Sequence, residues 1–590
     1  MHKLHYLGIT FILLCSNYLA DEQEMIKTVE NSLSPVNVFK GDKLWNLQER
    51  MKHYGVPGVG IAVIKDYKVT WFKTYGLANK ETGEVANNQT LFQAGSVSKP
   101  AAAFGAMRLV ESGKLSLDAD INTVLKSWKL PENKFTTDTK VTLRQLLSHT
   151  GGLTVHGFGG YAVGKDVPSV IQILNGTEPA NSSPVRVNKV PGGDFRYSGG
   201  GYTVAQLMMS DVSGKPFDKL MDDLLINPTK MTQSTYQQPL PPALLKYAAA
   251  GVLPDGTSVA GKHHTYPEMA AAGLWSTAGN LAAFAIEMQK ALNGDSKLMS
   301  KSIAQTMTTP VDSGYALGWS ISNRGESGYF SHGGWDEGFC TQLTGHLKDG
   351  YGVAIMINSN HPQFLDEVVS AVGLTYGWDG YQPKEIQIIS KEITDKYLGN
   401  YHYDNTQSIS ITKQDGKLWM GYPGASPQEL NYIGEGVFVR REMSSLIQFT
   451  ENKGATQFNF VLGDGTFQSH SHLAAGENMA GDILDIGSYA DALIAYRAVQ
   501  EADSSEESFS ENYLNRQGLN MLEDNSDYAI KLLTINTDLY PDSANTWDSL
   551  AFAYQRVGNK QKAIEHFRNA IKREPTFATA LKGLMELEKG

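Results

Sequence analysis

The chain has 590 residues, of which 41% are hydrophobic and 19% are charged, and its formal net charge is −11. This acidic balance, without a basic run, argues against binding to nucleic acid. The length predicts several domains, and once an N-terminal signal is removed only Cys340 remains, which excludes an intrachain disulfide.

The N-terminus has the features of a signal peptide, which we assign to residues 1–20. Lys3 precedes a short apolar stretch, residues 6–14, that is too short to span a bilayer as a stable helix. Cys15 lies near a lipoprotein-like position, but the leucine before it does not suit lipid attachment. We therefore expect a periplasmic or secreted protein that is not a lipoprotein and has no transmembrane segment.

The most informative motif is Ser96-Val97-Ser98-Lys99, which leads from a loop into the apolar stretch 100–110. This stretch is rich in alanine and too long for a strand, so it predicts a mostly buried helix that begins near Ser96. Positions three apart share a helix face, so the Lys99 ammonium group can reach the Ser96 hydroxyl. A desolvated lysine can take the proton of a serine and make it a nucleophile.

Two similar-looking segments predict no chemistry. The spacing of a serine and a lysine recurs at Ser410 and Lys413, but in an alternating strand pattern, where positions three apart point to opposite faces. Residues 159–166 nearly spell a phosphate-binding loop, yet Asp166 stands where a serine or threonine would hold Mg²⁺, and its charge repels phosphate. We interpret this segment as a mobile loop near the cleft and expect no cofactor.

Two later motifs are candidate partners of Ser96. Tyr197-Ser198-Gly199 precedes a predicted helix from Thr203 to about Val212, and His332-Gly333-Gly334 precedes Trp335. Each has a plain structural alternative, a turn before a helix in the first case and a structural histidine beside a glycine bend in the second.

The other histidines are assigned no catalytic role. His149 closes an apolar helix-like segment and is interpreted as structural, and His263 and His264 are placed on a solvated loop. His470 and His472 share a strand face, but no further ligand accompanies them, so we expect no metal site.

The three motifs occur in the order of the active-site motifs of serine β-lactamases and penicillin-binding proteins, which this sequence resembles over residues 34–380. The resemblance is closest to the branch of class C β-lactamases, D-amino-acid-specific peptidases and family VIII esterases, and the linking segments 141–153 and 270–277 match as well. It implies an α/β domain, with an antiparallel sheet flanked by helices and an all-helical subdomain.

The resemblance also implies roles for individual residues. Ser96 would be the acylated nucleophile, and Lys99 and the Tyr197 phenol would share the proton transfers. The backbone N–H groups of Ser96 and Trp335 would form the oxyanion hole, and His332 would face the substrate.

Departures from the class C pattern concern the substrate. Class C enzymes carry asparagine in place of Gly199 and lysine in place of His332, and a histidine with a pKa near ~6.5 anchors a carboxylate weakly at neutral pH. We therefore assign His332, Gly334, Trp335 and Gly199 to substrate and oxyanion binding, and do not expect efficient β-lactam hydrolysis.

Residues 388–473 show short alternating runs separated by turns, which predicts a small antiparallel barrel or sandwich. The segment resembles the lipocalin-like appendage often attached to this hydrolase family, and nothing in it suggests catalysis.

Residues 484–590 are predicted to be helical and to contain tetratricopeptide repeats of 34 residues. The last repeat is defined by seven positions: Trp547, Ala551, Tyr554, Ala563, Phe567, Ala570 and Pro575. An earlier copy contains Ala529, Leu533 and Pro541, with Gly518 one residue out of register. Two repeats are too few for a free-standing solenoid, so we expect them to dock on the barrel or on another subunit or protein. The alternative is a plain helical hairpin.

The sequence as a whole predicts an exported serine hydrolase that acts on small amides or esters through an acyl-enzyme on Ser96, with D-residue peptides as the leading substrates. The alternatives are a catalytically idle penicillin-recognition sensor presented by the repeats and a true β-lactamase. Because a sensor has no need of Ser96, Lys99 and Tyr197 together, these residues favour the enzyme.

Overall fold

The computed structural model describes residues 22–462, 465–502 and 509–589, so the predicted signal peptide, residues 1–20, lies outside the described residues. The chain divides into two compact units. The first runs to Lys384 and includes Leu462–Thr466, and the second comprises Glu385–Val461 and the chain from Phe467. In the described ranges, no helix is both long enough and apolar enough to cross a membrane.

The first unit combines helices with an antiparallel sheet. Its helices are α1 (22–30), α2 (Leu47–Tyr54), α3 (Ser98–Glu111), α4 (Leu143–Leu147), α5 (Val170–Asn175), α6 (Gly199–Ser213), α7 (Phe217–Met221), α8 (Met269–Ala272), α9 (Ala278–Asn293), α10 (Lys301–Thr308) and α11 (Pro362–Thr375). Its strands are β1 (Gly58–Lys65), β2 (Lys68–Asn79), β3 (Glu84–Val85), β4 (Phe92–Gln93), β5 (Trp275–Ser276), β6 (Ser320–Arg324), β7 (Ser327–Asp336), β8 (Phe339–His346) and β9 (Gly352–Ile357). Short 3₁₀ turns cover Gly95–Val97, Ile121–Thr123 and Leu245–Tyr247, and a π turn covers Asp222–Ile226.

The main sheet has seven strands in the order β3-β2-β1-β9-β8-β7-β6, and β4 pairs with β5 in a small ribbon. Strand β1 shows why helices cover both sheet faces. Ala62 and Ile64 pack into the core that contains α9, whereas Val59, Ile61 and Val63 pack into the core that contains α11. Alternate strand residues thus supply the two opposite cores. The predicted architecture of this domain is confirmed.

The two helices that position the site begin close to where the sequence places them. The stretch predicted to be a buried helix is α3, which follows directly on the 3₁₀ turn Gly95–Val97. Helix α6 begins at Gly199, four residues before the predicted start at Thr203. The reason is the Ser198 side chain, which caps the helix by accepting the Gly201 N–H at 3.0 Å.

The second unit opens with α12 (Lys391–Tyr397) and an eight-stranded antiparallel meander. Its strands are β10 (Gly399–His402), β11 (Ser408–Gln414), β12 (Lys417–Gly421), β13 (Gln428–Gly434), β14 (Val437–Val439), β15 (Leu446–Asn452), β16 (Ala455–Val461) and β17 (Phe467–Ser471). A bridge between Tyr401 and His472 brings the first and last strands together, so the sheet is a nearly closed barrel. On β11, Lys413 donates to Thr394 at 2.8 Å and not to Ser410, because residues three apart on a strand point to opposite faces.

The C-terminal part is helical, as predicted. Its helices are α13 (Ala480–Asp485), α14 (Tyr489–Ala502), α15 (Glu511–Asn520), α16 (Ser526–Leu539), α17 (Ala544–Arg556), α18 (Lys560–Arg573) and α19 (Ala578–Lys589). Helices α16 and α18 begin 34 residues apart, at Ser526 and Lys560. A Cβ atom added to Gly518 would lie 2.6 Å from Leu533 Cγ, so close packing of α15 on α16 explains this glycine. The tetratricopeptide assignment itself stays a prediction.

These helices pack on the barrel. The Tyr513 hydroxyl donates to Asp404 at 2.9 Å, and the Ser408 hydroxyl donates to Asp482 at 2.7 Å. Of the docking surfaces expected from the sequence, the barrel is therefore the one that these helices contact within this unit.

Candidate active site

Ser96 and Lys99 lie together at the start of α3. Ser96 is the central residue of the 3₁₀ turn, and its side chain is half-buried. The buried Lys99 Nζ atom donates to Ser96 Oγ at 2.9 Å and to the Ala271 carbonyl oxygen at 2.8 Å. The bond to Ala271 holds the amine beside the hydroxyl, so the contact predicted from the spacing of these residues is present.

Two tyrosine rings cover the Lys99 amine. Its Nζ atom is 4.8 Å from the centroid of the Tyr197 ring and 5.8 Å from that of Tyr202. Ring faces attract a cation, more strongly where water is excluded. Burial raises the pKa of Tyr202 well above its ordinary value, and its hydroxyl donates to the Leu147 carbonyl oxygen at 2.8 Å. Tyr197 is half-buried, so it is the tyrosine of this pair that a substrate can reach.

Strand β7 brings the third motif to the same place. Strand β6 pairs with β7 only as far as Ser331, which leaves residues 332–336 with an open edge on that side within the described part of the chain. A Cβ atom added to Gly95 would lie 2.5 Å from the Trp335 nitrogen, and one added to Gly334 would overlap the Ala94 carbonyl oxygen. The strand therefore lies directly against the turn that carries the candidate nucleophile.

The same close approach sets the spacing of two backbone N–H groups. The Cβ position of Gly334 is 3.3 Å from the Ser96 nitrogen, and Trp335 is the next residue along the strand. The nitrogens of Ser96 and Trp335 are thus near neighbours. Two such donors beside a serine hydroxyl can stabilise a negative oxygen that develops on an acyl carbon.

His332 is buried beside the other motifs: only 7% of its surface is exposed, and its ring centroid is 6.3 Å from that of Tyr197. Its Nε2 atom is 3.0 Å from the Tyr315 hydroxyl, and its Nδ1 atom is 2.5 Å from the Gly333 carbonyl oxygen. Burial, and then the nearby Lys99 charge, lower the pKa of His332 to about 3. The expected pKa near 6.5 is therefore wrong, and this histidine is neutral at physiological pH.

Gly199 faces an occupied space. A Cβ atom added there would lie 3.0 Å from Cε2 of Phe158 and 3.1 Å from the His156 carbonyl oxygen. The Phe158 ring thus takes the place where a longer side chain at position 199 would extend. The asparagine amide of class C enzymes is therefore absent at position 199, and an aromatic ring occupies the space that it would need.

His149, interpreted from the sequence as structural, is part of this site. Its ring centroid is 4.2 Å from that of Tyr197 and 4.9 Å from that of Tyr315. Its Nδ1 atom accepts the Ser198 N–H at 3.0 Å, and only 2% of its surface is exposed. The sequence signal for this was the pair Gly151 and Gly152, which follows Thr150, because a turn there can fold a polar residue back into the domain.

Two buried acids near the site were also missed. Burial raises the pKa of Asp336 well above its ordinary value, although Lys99 and the Gly95 N–H lower it in part. Burial raises the pKa of Glu268 to about 8. Neither carboxyl group makes a hydrogen bond of normal geometry. Strand alternation could have placed Asp336 on the inner face with His332, whereas no comparable signal exists for Glu268.

Other histidines do not build a metal site. His263 is buried against Trp275, with ring centroids 4.9 Å apart, so its assignment to a solvated loop is wrong. His264 Nδ1 lies 2.8 Å from the Gly159 carbonyl oxygen and is likewise fixed. Among the described residues, no three His, Cys, Asp or Glu side chains are arranged to hold a metal ion.

The sequence model of the Beta-lactamase family matches residues 46–374, which is more than half of the chain. The chain belongs to the beta-lactamase family. This beta-lactamase domain contains all three motifs, and the family has hydrolases among its members.

Individual relatives of the beta-lactamase domain are distant. Protein flp of Staphylococcus aureus strain N315 is 24% identical over 322 residues, which cover 52% of this chain and 60% of that protein. The chain thus spans less than two thirds of the length of this curated relative.

Solved structures show a similar level of identity. An octameric penicillin-binding protein homologue from Pyrococcus abyssi is 20% identical, with a TM-score of 0.49, over 72% of this chain and 97% of that one. The D-alanine carboxypeptidase AmpC from Burkholderia cenocepacia is 22% identical, with a TM-score of 0.45, over 56% of this chain and 96% of that one.

Proposed function

We propose that the protein is a serine hydrolase that cleaves small amides or esters through an acyl-enzyme on Ser96, with D-residue peptides as the leading substrates. The observation that carries the proposal is the 2.9 Å contact between Lys99 Nζ and Ser96 Oγ in a buried setting. A serine needs an adjacent base to become a nucleophile, and this amine is fixed beside it by Ala271.

The proposed reaction starts from the neutral amine form of Lys99, which takes the proton of Ser96 Oγ and becomes an ammonium group while Oγ bonds to the acyl carbon. The carbonyl oxygen becomes an oxyanion and accepts hydrogen bonds from the Ser96 and Trp335 N–H groups. The bond from carbon to the leaving group then breaks, and that group takes a proton from the Lys99–Tyr197 pair. Water then attacks the acyl-enzyme and gives a proton to the same pair. The bond from the acyl carbon to Ser96 Oγ breaks, Oγ takes that proton, and the acid leaves.

The substrate preference rests on two side chains. His332 is buried and neutral, so it offers no charge to a substrate carboxylate. Phe158 occupies the space beside Gly199 and leaves an apolar wall there. Both features favour esters or amides that do not depend on a carboxylate, and disfavour penicillins and cephalosporins.

A covalent probe tests the nucleophile. A fluorophosphonate should label the wild-type protein on Ser96, as mapped by mass spectrometry, and Ser96→Ala should abolish labelling. Lys99→Met should slow labelling by several powers of ten because the base is lost. Ser410→Ala and Lys413→Met are matched controls, since they carry the same spacing on strand β11, and both should label normally. Labelling at another serine would reject the assignment.

Turnover separates the enzyme from a sensor. The purified protein should release product repeatedly from p-nitrophenyl esters or D-alanyl amides, with kcat/KM above that for benzylpenicillin or a cephalosporin. A sensor would be acylated once and then stay acylated. Efficient cephalosporin hydrolysis would overturn the substrate preference and leave the Ser96 mechanism standing.

A further inference from the structure

His149 is an unusual residue behind the candidate site. It lies two residues beyond α4, and its backbone has φ of +61°, in the left-handed region that non-glycine residues rarely adopt. Only 2% of its surface is exposed. A buried polar residue in a strained conformation costs free energy, so its contacts must compensate for that cost.

The contacts of His149 bracket Tyr197. Its carbonyl oxygen accepts the Arg196 N–H at 2.8 Å, and its Nδ1 atom accepts the Ser198 N–H at 3.0 Å. The residues on either side of Tyr197 are therefore both bonded to this one histidine. The Tyr197 ring also packs on the imidazole, with ring centroids 4.2 Å apart.

The protonation state of His149 suits this arrangement. Burial lowers its pKa well below the ordinary value, and the neighbouring groups Lys99, His332 and His156 lower it further. The ring is therefore neutral. Since Nδ1 accepts a hydrogen bond, the proton is on Nε2, which is buried without a partner. Nδ1 thus stays an acceptor over the physiological pH range.

We propose that His149 is the positioning residue of Tyr197: it holds the backbone on both sides of the tyrosine and sets the phenol over the Lys99 amine. This proposal rests on the proposed function, because it assumes that Tyr197 takes part in proton transfer. A misplacement of about 1 Å in such a group can lower the rate on the order of a hundredfold.

Asparagine and glutamine at position 149 form a matched pair. The oxygen of His149→Asn can take the place of Nδ1, and asparagine tolerates a positive φ. The oxygen of His149→Gln is one bond further out and cannot accept from Ser198 in the same way. We expect His149→Gln to lower kcat by about tenfold to a hundredfold with KM within about twofold, and His149→Asn to recover most of that loss.

A double mutant identifies the route of the effect. If His149 acts through Tyr197, then His149→Gln in the Tyr197→Phe background should lower kcat by less than about threefold. The same loss in both backgrounds would overturn the proposal, as would an Asn variant as slow as the Gln variant. Thermal unfolding of each variant shows whether a loss of rate merely follows a loss of folded protein.

A spectroscopic measurement that needs no substrate turnover makes the test independent of the proposed function. In protein labelled with 3-fluorotyrosine, the ¹⁹F signal of Tyr197 is the one absent from Tyr197→Phe. Both substitutions remove the imidazole ring and so shift this signal, but it should stay one sharp line in His149→Asn and broaden or split in His149→Gln. Equally sharp signals in the two variants would overturn the positioning role, whereas a wild-type protein that neither labels nor turns over would overturn only the proposed function.

Discussion

The Nε2 atom of His332 and the hydroxyl oxygen of Tyr315 lie 3.0 Å apart, and both side chains are buried. Burial lowers the pKa of His332 to about 3 and raises that of Tyr315 well above its ordinary value, so both groups are neutral. The Tyr315 hydroxyl then donates to Nε2, while Nδ1 donates to the Gly333 carbonyl oxygen. His332 thus ties strand β7 to Tyr315, and its neutral imidazole offers no positive charge to a substrate anion.

His332→Lys should destabilise the protein, because it places a second ammonium group in a buried position near Lys99. We expect a loss on the order of 2–4 kcal/mol in the free energy of unfolding, measured by chemical denaturation, and no gain in cephalosporin hydrolysis. His332→Gln, which stays neutral, is the control and should lose less. A stable His332→Lys protein that hydrolyses cephalosporins would contradict this prediction and show that position 332 can bind a substrate carboxylate.

Gly334→Ala should lower kcat by several powers of ten. The added Cβ atom would overlap the Ala94 carbonyl oxygen, so β7 must move away from the turn that carries Ser96. Gly333→Ala is a close control, because its Cβ atom would meet nothing nearer than Gln342 Oε1 at 3.4 Å. Comparable rates for the two variants, measured with one ester substrate, would show that the close approach is unimportant.

Gly199→Asn should not convert the protein into a β-lactamase, because the Phe158 ring occupies the space that the amide needs. We expect a loss of about 1–3 kcal/mol in stability from overpacking, and recovery of part of it in Gly199→Asn/Phe158→Ala. Thermal unfolding and cephalosporin hydrolysis measure the two effects. Full stability of the single variant would mean that the ring moves freely.

Glu268→Gln should flatten the dependence of stability on pH. The folded pKa of Glu268, about 8, is raised above the ordinary value of 4.5, so the folded state binds the proton more tightly than the unfolded state. Stability from this group is full below about pH 4.5 and falls as pH rises toward 8, by about 3.5 kcal/mol at most between pH 5 and 8. Urea unfolding at these two pH values should show a smaller difference for the variant. The exposed Glu326→Gln is the control and should match wild type.

Local spacing was enough to predict the geometry around Ser96. The pair Ser96 and Lys99 depends only on helix periodicity, and the strand pattern around Ser410 correctly excluded the second copy. The same reasoning predicted the position of His332 along its strand but not the face to which its side chain points. Alternation gives two faces, and the sequence alone does not say which of them points to the cleft.

The sequence did not indicate which polar side chains are buried. His149 and His263 lie in polar or glycine-rich segments, yet each packs against an aromatic ring, that of Tyr197 for His149 and that of Trp275 for His263. Glu268, just before α8, is fully buried as well. Such burial depends on contacts between elements far apart along the chain, which periodicity does not report.

Trp335 has an indole that is 51% exposed, whereas the other eight tryptophans of the chain are buried or half-buried. An indole in contact with water fluoresces at longer wavelength than one in an apolar core, so the red edge of the emission spectrum belongs mainly to this residue. The Trp335 backbone nitrogen lies beside the turn that carries Ser96, so an acyl group bound there, as proposed, should change the surroundings of this residue. The emission of Trp335 should then follow acylation and deacylation in a stopped-flow instrument without any added dye.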